Sequence, residues 1–371
     1  MSALPGNLTG EPSNFSCETS MASGNTRVVV LKKYANGTAV TESHFGIEQR
    51  RLPELTEDEI LLETLELSPD PYMRGRMMGL DNFYLPQLPL NEAIRGFGVA
   101  RVIGSAHSAY KPGEIVYGIV EWAERSVWND RHKTDLSAVV GGDGSGLKPI
   151  SLYARPYARA LDVVGITGIT AYFAVTEVAK PRPGETVLIS SAAGSVGSIA
   201  GQIAKLRGSR VIGLAGSDEK CRVLTERLGF DAALNYKSSS FDARLREVMP
   251  QGPDVYIDNV GGALSQTVML QMRWPARVVD IGQISTYDDE GGGWTVDLRP
   301  IHNNCLQLNG YHPLIFVDYF PAALAQLGHW LQSGKIVALD TVLNGIENAP
   351  KAFTGLFRGA NVGKMILHVA D

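Results

Sequence analysis

The chain has 371 residues, 44% of them apolar and 20% charged, with a formal net charge of −5. That length allows two domains with separate cores, and the balance is that of an ordinary soluble globular protein. The acidic total leaves no basic footprint for nucleic acid, and no apolar run approaches the ~20 residues of a membrane-spanning helix.

Cys17, Cys221 and Cys305 are too few and too scattered for a disulfide framework, and none has a Cys or His neighbour at zinc-ligand spacing. The seven histidines form no paired helical motif, so no metal site is expected. Gly144, Ser145 and Gly146 lack the glycine two before the serine that a nucleophile elbow needs. No basic segment followed by an apolar one opens the chain, and a reduced cytoplasmic setting fits best.

Met1 to Asn25, rich in Ser, Asn, Gly and Pro without periodicity, reads as a disordered leader. Order is expected from Thr26, where RVVVLKKY reads as a strand. To about Leu161 the chain is strand-dense, with Glu59 to Leu67, Phe97 to Ile103 and Glu114 to Val120 as strands. Turns are marked at Asn36–Gly37, Pro112–Gly113 and Gly141–Gly142. This is the pattern of a β-rich, barrel-like domain. Leu161 to Lys180 reads as helical, with amphipathic spacing in GITAYFAVTEVAK, and PRPGE (181–185) turns into the next strand.

Thr186 to Ser190 is a β-branched run suited to a buried strand. Ala192, Gly194 and Gly197 then stand at the spacing of the dinucleotide fingerprint, with alanine in place of its first glycine. Small residues there let the backbone approach a pyrophosphate that rests on the amides of a helix N-terminus. The helix follows, with Ile199, Ile203 and Leu206 on one face and Gly208 past its end. A second strand, Arg210 to Gly216, completes the βαβ context that separates this reading from a glycine turn made for packing alone.

Chains that bind NAD carry Asp or Glu about 20 residues on, to hold the ribose 2′-hydroxyl. Here Leu214, Ala215, Gly216 and Ser217 stand instead, and Lys220 lies in the first turn of a helix that Ser217 caps. A cation there opposes the helix dipole. A 2′-phosphate explains both features, so NADPH is the expected cofactor; the plainer reading is a solvated lysine balanced by Asp218 and Glu219.

Asp254 to Asp258 and Arg277 to Ile281 supply further buried strands. Strands alternating with helices imply an α/β fold with a doubly wound parallel sheet. The loop Asp288 to Pro300 (DDEGGGWTVDLRP) reads equally as a cover over a site or as a long connection. A helix around Ala322 to Gln332 precedes strand pieces ending at Lys364 to Val369.

Eight segments run in one family's order: SPDPYMRGRM (68–77), GITAYF (168–173), SAAGSVGSIAGQIAKLRG (191–208), GSDEK (216–220), NYK (235–237), DNVGG (258–262), GQISTY (282–287) and NVGK (361–364). On them the chain resembles the zinc-independent medium-chain dehydrogenase/reductases. The branch it looks most like is that of the alkenal/enone double-bond reductases, with the prostaglandin and leukotriene reductases. The resemblance implies a Rossmann NADPH-binding domain, residues 162–312, inserted in a GroES-like catalytic domain, residues 26–161 and 313–371. It implies that Gly194, Ser195, Val196 and Gly197 meet the pyrophosphate, that Lys220 and Tyr236 hold the 2′-phosphate region, and that Asn259 sits near the ribose. Gly282, Ile284 and Ser285, within Ile281 to Tyr287, would line the nicotinamide side with Tyr311 and Asn361. Taken alone, Asn259 reads as a turn residue before Gly261–Gly262, and Asn361 as a loop cap.

Two departures fall where substrate would lie. The family's phenylalanine at the strand end is Tyr311 here, with His312–Pro313 in place of a β-branched pair, and the loop after Tyr287 is longer. Where zinc-dependent relatives carry a Gly-His-Glu ligand motif, this chain has Arg95, Gly96, Phe97 and Gly98. Without zinc, carbonyl reduction loses its usual electrophile. Reduction of a conjugated C=C survives, because its negative charge spreads onto a carbonyl oxygen.

The expected reaction is therefore hydride addition from NADPH to the β-carbon of an α,β-unsaturated carbonyl compound. Tyr287 is the candidate donor to the enolate oxygen and relay to the α-carbon, and Tyr72 a second candidate lining the substrate pocket. Each reads otherwise as an aromatic at a sheet or core edge. A proton on the enolate gives a saturated ketone, whereas an electrophilic carbon in the same natural-product substrate gives ring closure. The alternatives are a quinone reductase, an enoyl reductase on carrier-bound acyl chains with Arg155 and Arg159 as docking residues, and a non-catalytic NADPH-binding scaffold. A homodimer is implied by the resemblance alone.

Overall fold

A computed structural model describes residues 24–79, 85–130, 146–150, 156–287 and 295–371. Residues 1–23, the Gly141–Gly142 turn, Gly144, Ser145, Arg155 and positions 288–294 of the glycine-rich loop lie outside them.

Six strands form a parallel sheet in the order Ala232–Asn235, Arg210–Ala215, Thr186–Ile189, Val255–Asp258, Ala276–Asp280, Leu306–Gly310. Both faces are covered, which is why Val187, Leu188 and Ile189 are apolar without alternation and wholly buried. Val187 and Ile189 pack with Ile199, Ala200 and Ile203 on one face. Leu188, Ile212 and Tyr256 meet Leu245 and Val268 on the other. The chain order reverses direction across the sheet between Thr186–Ile189 and Val255–Asp258, and a crevice outside the carboxyl ends of such strands is where a ligand of this fold binds.

The helix Ser195–Leu206 crosses over from the first strand to the second. Leu206 departs from expectation: Ile199 and Ile203 are buried, but Leu206 is 42% exposed. The region from Leu161 to Lys180 is also not one helix. It divides into Ala158–Leu161, Ile166–Phe173 and Ala174–Ala179, because the amides of Gly165 and Gly168 turn back to the Asp162 carbonyl.

The second sheet runs Asp340–Asn344, Lys364–His368, Glu59–Leu67, Arg95–Ser105, Ile115–Glu121, Lys148–Pro149, with Arg125–Asn129 also on Glu59–Leu67. Its first pair is parallel and the other pairs are antiparallel. A ribbon of Asn25–Leu31 and Phe45–Arg51 stands beside it. Val29, Leu31, Ile60, Leu62, Trp122 and Phe353 fill the core beneath. The late strand Lys364–His368 thus sits against the early strand Glu59–Leu67, with Leu367 opposite Leu67. This return brings the segment after Asn361 back to the parallel sheet's crevice.

Candidate active site

The turn after Thr186–Ile189 is made almost wholly of backbone. Ser191 takes a left-handed φ of 48°, Gly194 is extended, and the helix begins at Ser195. A Cβ on Gly197 would lie 2.5 Å from the Ser191 carbonyl oxygen and 2.8 Å from the Ala192 Cα, so helix and turn meet at a distance only glycine permits. The amides of the first helical turn, Ser195, Val196 and Gly197, have no carbonyl to bond within the helix. They are the donors an anion would take. From the other domain, the Gly363 amide donates to the Ala193 carbonyl at 2.7 Å. Asn361 Nδ2 donates to the Gly363 carbonyl at 2.6 Å, so this side chain shapes the loop lying on the turn.

At the end of Arg210–Ala215 the geometry becomes cationic. Ser217 caps the next helix by accepting from the Lys220 amide. Lys220 Nζ donates to the Gly359 carbonyl at 2.8 Å; burial, and then the charge of Lys237, hold its ammonium below the usual lysine range. Gly216 leaves room for its neighbours: a Cβ there would stand 3.2 Å from the Tyr236 hydroxyl and 3.4 Å from Lys237 Cε. The nearby carboxylate of Asp218 accepts from Asn235 Nδ2 at 2.9 Å. Tyr236 and Lys237 beside Gly216, with Lys220 near enough for the two lysine charges to act on one another and the acid tied to Asn235, fit a 2′-phosphate. Lys237 was missed in the sequence, although NYK contained it.

Asn259 is held by the other half of the crossover. Its amide donates to Ser190 Oγ at 2.8 Å and its Nδ2 to the Ser190 carbonyl at 2.9 Å. Beneath it the buried Asp258 carboxylate takes the Ser190 and Tyr256 hydroxyls, the Val260 and Gly261 amides and the Ser265 hydroxyl. A buried charge survives only with such partners. Asp258 was visible in DNVGG but had no assigned role.

The segment Gly282 to Tyr287 folds back on this strand end. Ile281 and Gly282 donate to the Asp258 carbonyl, Ile284 to that of Asn259, and both Ser285 donors to that of Val260. Tyr287 follows the short 3₁₀ turn Ile284–Thr286. Its hydroxyl accepts from the Gln283 amide at 3.4 Å and lies 3.0 Å from where a Gly282 Cβ would be. Burial above all, with Asp280 adding to it, raises the phenol above its usual value, so it keeps its proton at neutral pH. One strand over, the Tyr311 amide donates to the Asp280 carbonyl. The Tyr311 hydroxyl is buried with no partner among the described residues, and burial drives its titration far upward. His312 Nδ1 accepts from the Leu314 amide, and burial keeps the ring below its usual value and neutral.

Tyr72 enters through its neighbour Asp70. Asp70 pairs with Lys364 at 2.5 Å, Lys364 follows Gly363, and the Tyr72 ring stands edge-on to Phe97 at 6.5 Å. Hydrogen bonds therefore join the Gly282, Ile284, Ser285 and Tyr287 segment to Asn259, and the Gly194 turn to the Asn361 loop. Lys220 is fastened to that same loop. Arg159, read as a docking residue, is instead buried and paired with Asp340, so it offers no surface to a carrier protein. Among the described residues no three His, Cys, Asp or Glu side chains gather as metal ligands would.

Two family profiles match, one described as the N-terminal domain of oxidoreductase over residues 27–136 and one as zinc-binding dehydrogenase over residues 195–325. The chain is 38% identical to the putative NADP-dependent oxidoreductase YfmJ of Bacillus subtilis, over 92% of this chain and 97% of that one. It is also 38% identical to prostaglandin reductase 1 of Rattus norvegicus, over 91% of this chain and 97% of that protein. Among solved structures it is similar to CurA of Vibrio vulnificus in complex with NADPH, with a TM-score of 0.83 and 31% identity, covering 93% and 99% of the two chains.

Proposed function

Because the chain belongs to the zinc-independent medium-chain dehydrogenase/reductases, in their alkenal/enone double-bond reductase branch, we infer that it reduces the conjugated C=C of an α,β-unsaturated carbonyl compound with NADPH. The observation that carries this reading is Tyr287: a phenol held protonated by burial, whose oxygen takes one backbone amide and whose own hydrogen has no acceptor among the described residues. When bound, NADPH supplies the hydride that reaches the β-carbon.

The residues supply the rest. Ser195, Val196 and Gly197 offer their amides to the pyrophosphate, while Lys220, Lys237 and Tyr236 close around the 2′-phosphate. Asn259, Gly282, Ile284, Ser285 and Asn361 shape the ribose and nicotinamide side. Tyr287 donates to the enolate oxygen as charge grows there, a contribution of ~3 kcal/mol for one such donor, and passes a proton toward the α-carbon. Tyr72 and the Tyr311 hydroxyl border the substrate. Where the substrate carries an electrophilic carbon, the enolate closes a ring instead of taking a proton.

The exposed edge strand Leu306–Gly310, with Leu308 47% exposed, supports a homodimer joined along that edge. Free Cys221 and Cys305 suit a reducing, cytoplasmic setting.

The test is NADPH consumption, with NADH alongside, on simple enals and enones, a quinone, an acyl thioester and a conjugated polyene carbonyl compound, with products identified. Saturated carbonyl products formed preferentially with NADPH support the reading, and a cyclised product from the polyene selects ring closure. Turnover confined to the quinone or the thioester transfers the chain to those alternatives. Tight NADPH binding without turnover on any of them leaves a specialised substrate or a scaffold.

A further inference from the structure

Beside the pyrophosphate turn lies a cluster of buried charge that the proposed chemistry does not use. Asp162 sits in the break between helices Ala158–Leu161 and Ile166–Phe173, 2% exposed. Its Oδ1 accepts from Ser195 Oγ at 2.5 Å, and Ser195 is the first residue of the pyrophosphate helix. Arg159 Nη1 stands 3.7 Å from its other oxygen and itself grips Asp340. Lys364 faces Asp162 from the next strand, bonding Asp70 and, at 3.2 Å, Thr167 Oγ1. Glu66 and His368 complete the circle on strands Glu59–Leu67 and Lys364–His368, where burial pushes the Glu66 carboxyl up to about 7.

We propose that Asp162 is a positioning residue for the dinucleotide: its carboxyl fixes the Ser195 hydroxyl at the start of the pyrophosphate helix and, with Lys364 and Asp70, ties that turn to the segment carrying Tyr72. The inference rests on NADPH as the ligand of the turn. A helix N-terminus carries roughly half a positive charge, which a buried carboxylate and a pyrophosphate both seek. Asp162 therefore orders the turn and, while charged, opposes the ligand's anion.

The sign follows. Burial pushes Asp162 up to about 6, against the Ser195 hydrogen bond, Lys364 and Arg159, which pull it down. Below that value it is neutral and leaves the dipole to the ligand. Above it the charge competes, so NADPH weakens as pH rises and binding draws in a proton.

The experiment is NADPH titration, read by tryptophan fluorescence from pH 5.5 to 8.5, on the parent, Asp162→Asn, Asp162→Ala and Ser195→Ala. Asparagine keeps the shape and the acceptor and removes the charge. The parent-to-Asn ratio of Kd should be near one at pH 5.5 and reach about threefold to tenfold at pH 8.5. Titration of the 2′-phosphate cancels in that ratio. Asp162→Ala, which loses the anchor as well as the charge, should raise the KM for NADPH about tenfold at pH 5.5 and less at pH 8.5, where the lost charge offsets the lost anchor, with kcat changed far less. Ser195→Ala removes a donor that favours the charged carboxyl, so the midpoint of the pH dependence should move upward. A ratio flat across the range, or an alanine variant binding NADPH like the parent at pH 5.5, overturns the proposal. No binding by the parent overturns the cofactor reading instead.

Discussion

The two ends of the crevice are built from different materials. At the end proposed for the phosphates the material is backbone: amides of Ser195 to Gly197 with no carbonyl to bond within their helix, a left-handed Ser191, and a glycine packed where a Cβ would meet carbonyl oxygen at 2.5 Å. At the end proposed for the hydride it is individual side chains: the Tyr287 phenol, the Tyr311 hydroxyl, buried with no partner among the described residues, and Asn259 held by Ser190. A backbone site is broken by adding an atom, and a side-chain site by removing one. The first can hold one shape of ligand firmly; the second can be retuned residue by residue.

The largest effect should come from adding one methyl group at the phosphate end. Gly197→Ala forces backbone apart and should cost about 3 kcal/mol of stability while removing NADPH binding, read by thermal melting and fluorescence titration. A variant that binds normally would show that the turn yields, and the contrast with the hydride end would fail. Next, Tyr287→Phe removes one oxygen and should lower kcat on an enal about a hundredfold with NADPH affinity intact. Near-parental turnover removes Tyr287 from the chemistry. Lys220→Ala should raise the KM for NADPH about tenfold, in line with one charge-assisted hydrogen bond, and leave NADH unaffected. The smallest effect is the most informative about substrate. Tyr311→Phe deletes a buried hydroxyl with no partner among the described residues and should stabilise the ligand-free protein by about 1 kcal/mol. If affinity for the enone falls as stability rises, that hydroxyl belongs to the substrate.

The same contrast explains what the sequence disclosed. Small residues at fixed intervals are a local demand, so Gly194, Gly197 and the strands around them were legible from spacing, as was the Ser217 cap. The α/β architecture followed from alternation, and the return of Lys364–His368 to the second sheet from the resemblance. What stayed hidden depends on partners distant in the chain. Asp162 lies 33 residues from Ser195, and no local pattern announces that contact. Lys237 closes the NYK segment without a role of its own there, and its approach to Gly216 is made by the fold. Arg159 read as exposed because its acid, Asp340, comes 181 residues later. Leu206 keeps the helical period yet stands exposed in the last turn of its helix.

The strand Lys364–His368 also sets an order of events. Asp70 and Lys364 are 294 residues apart, and the sheet that holds Glu59–Leu67 gains its neighbour only when the later strand has left the ribosome. The parallel sheet between them is complete by Gly310, so it can fold first and hold the two halves of the other sheet close. A nascent chain should thus show a protease-resistant core early and a second one only when synthesis has passed His368, with the catalytic crevice assembling last.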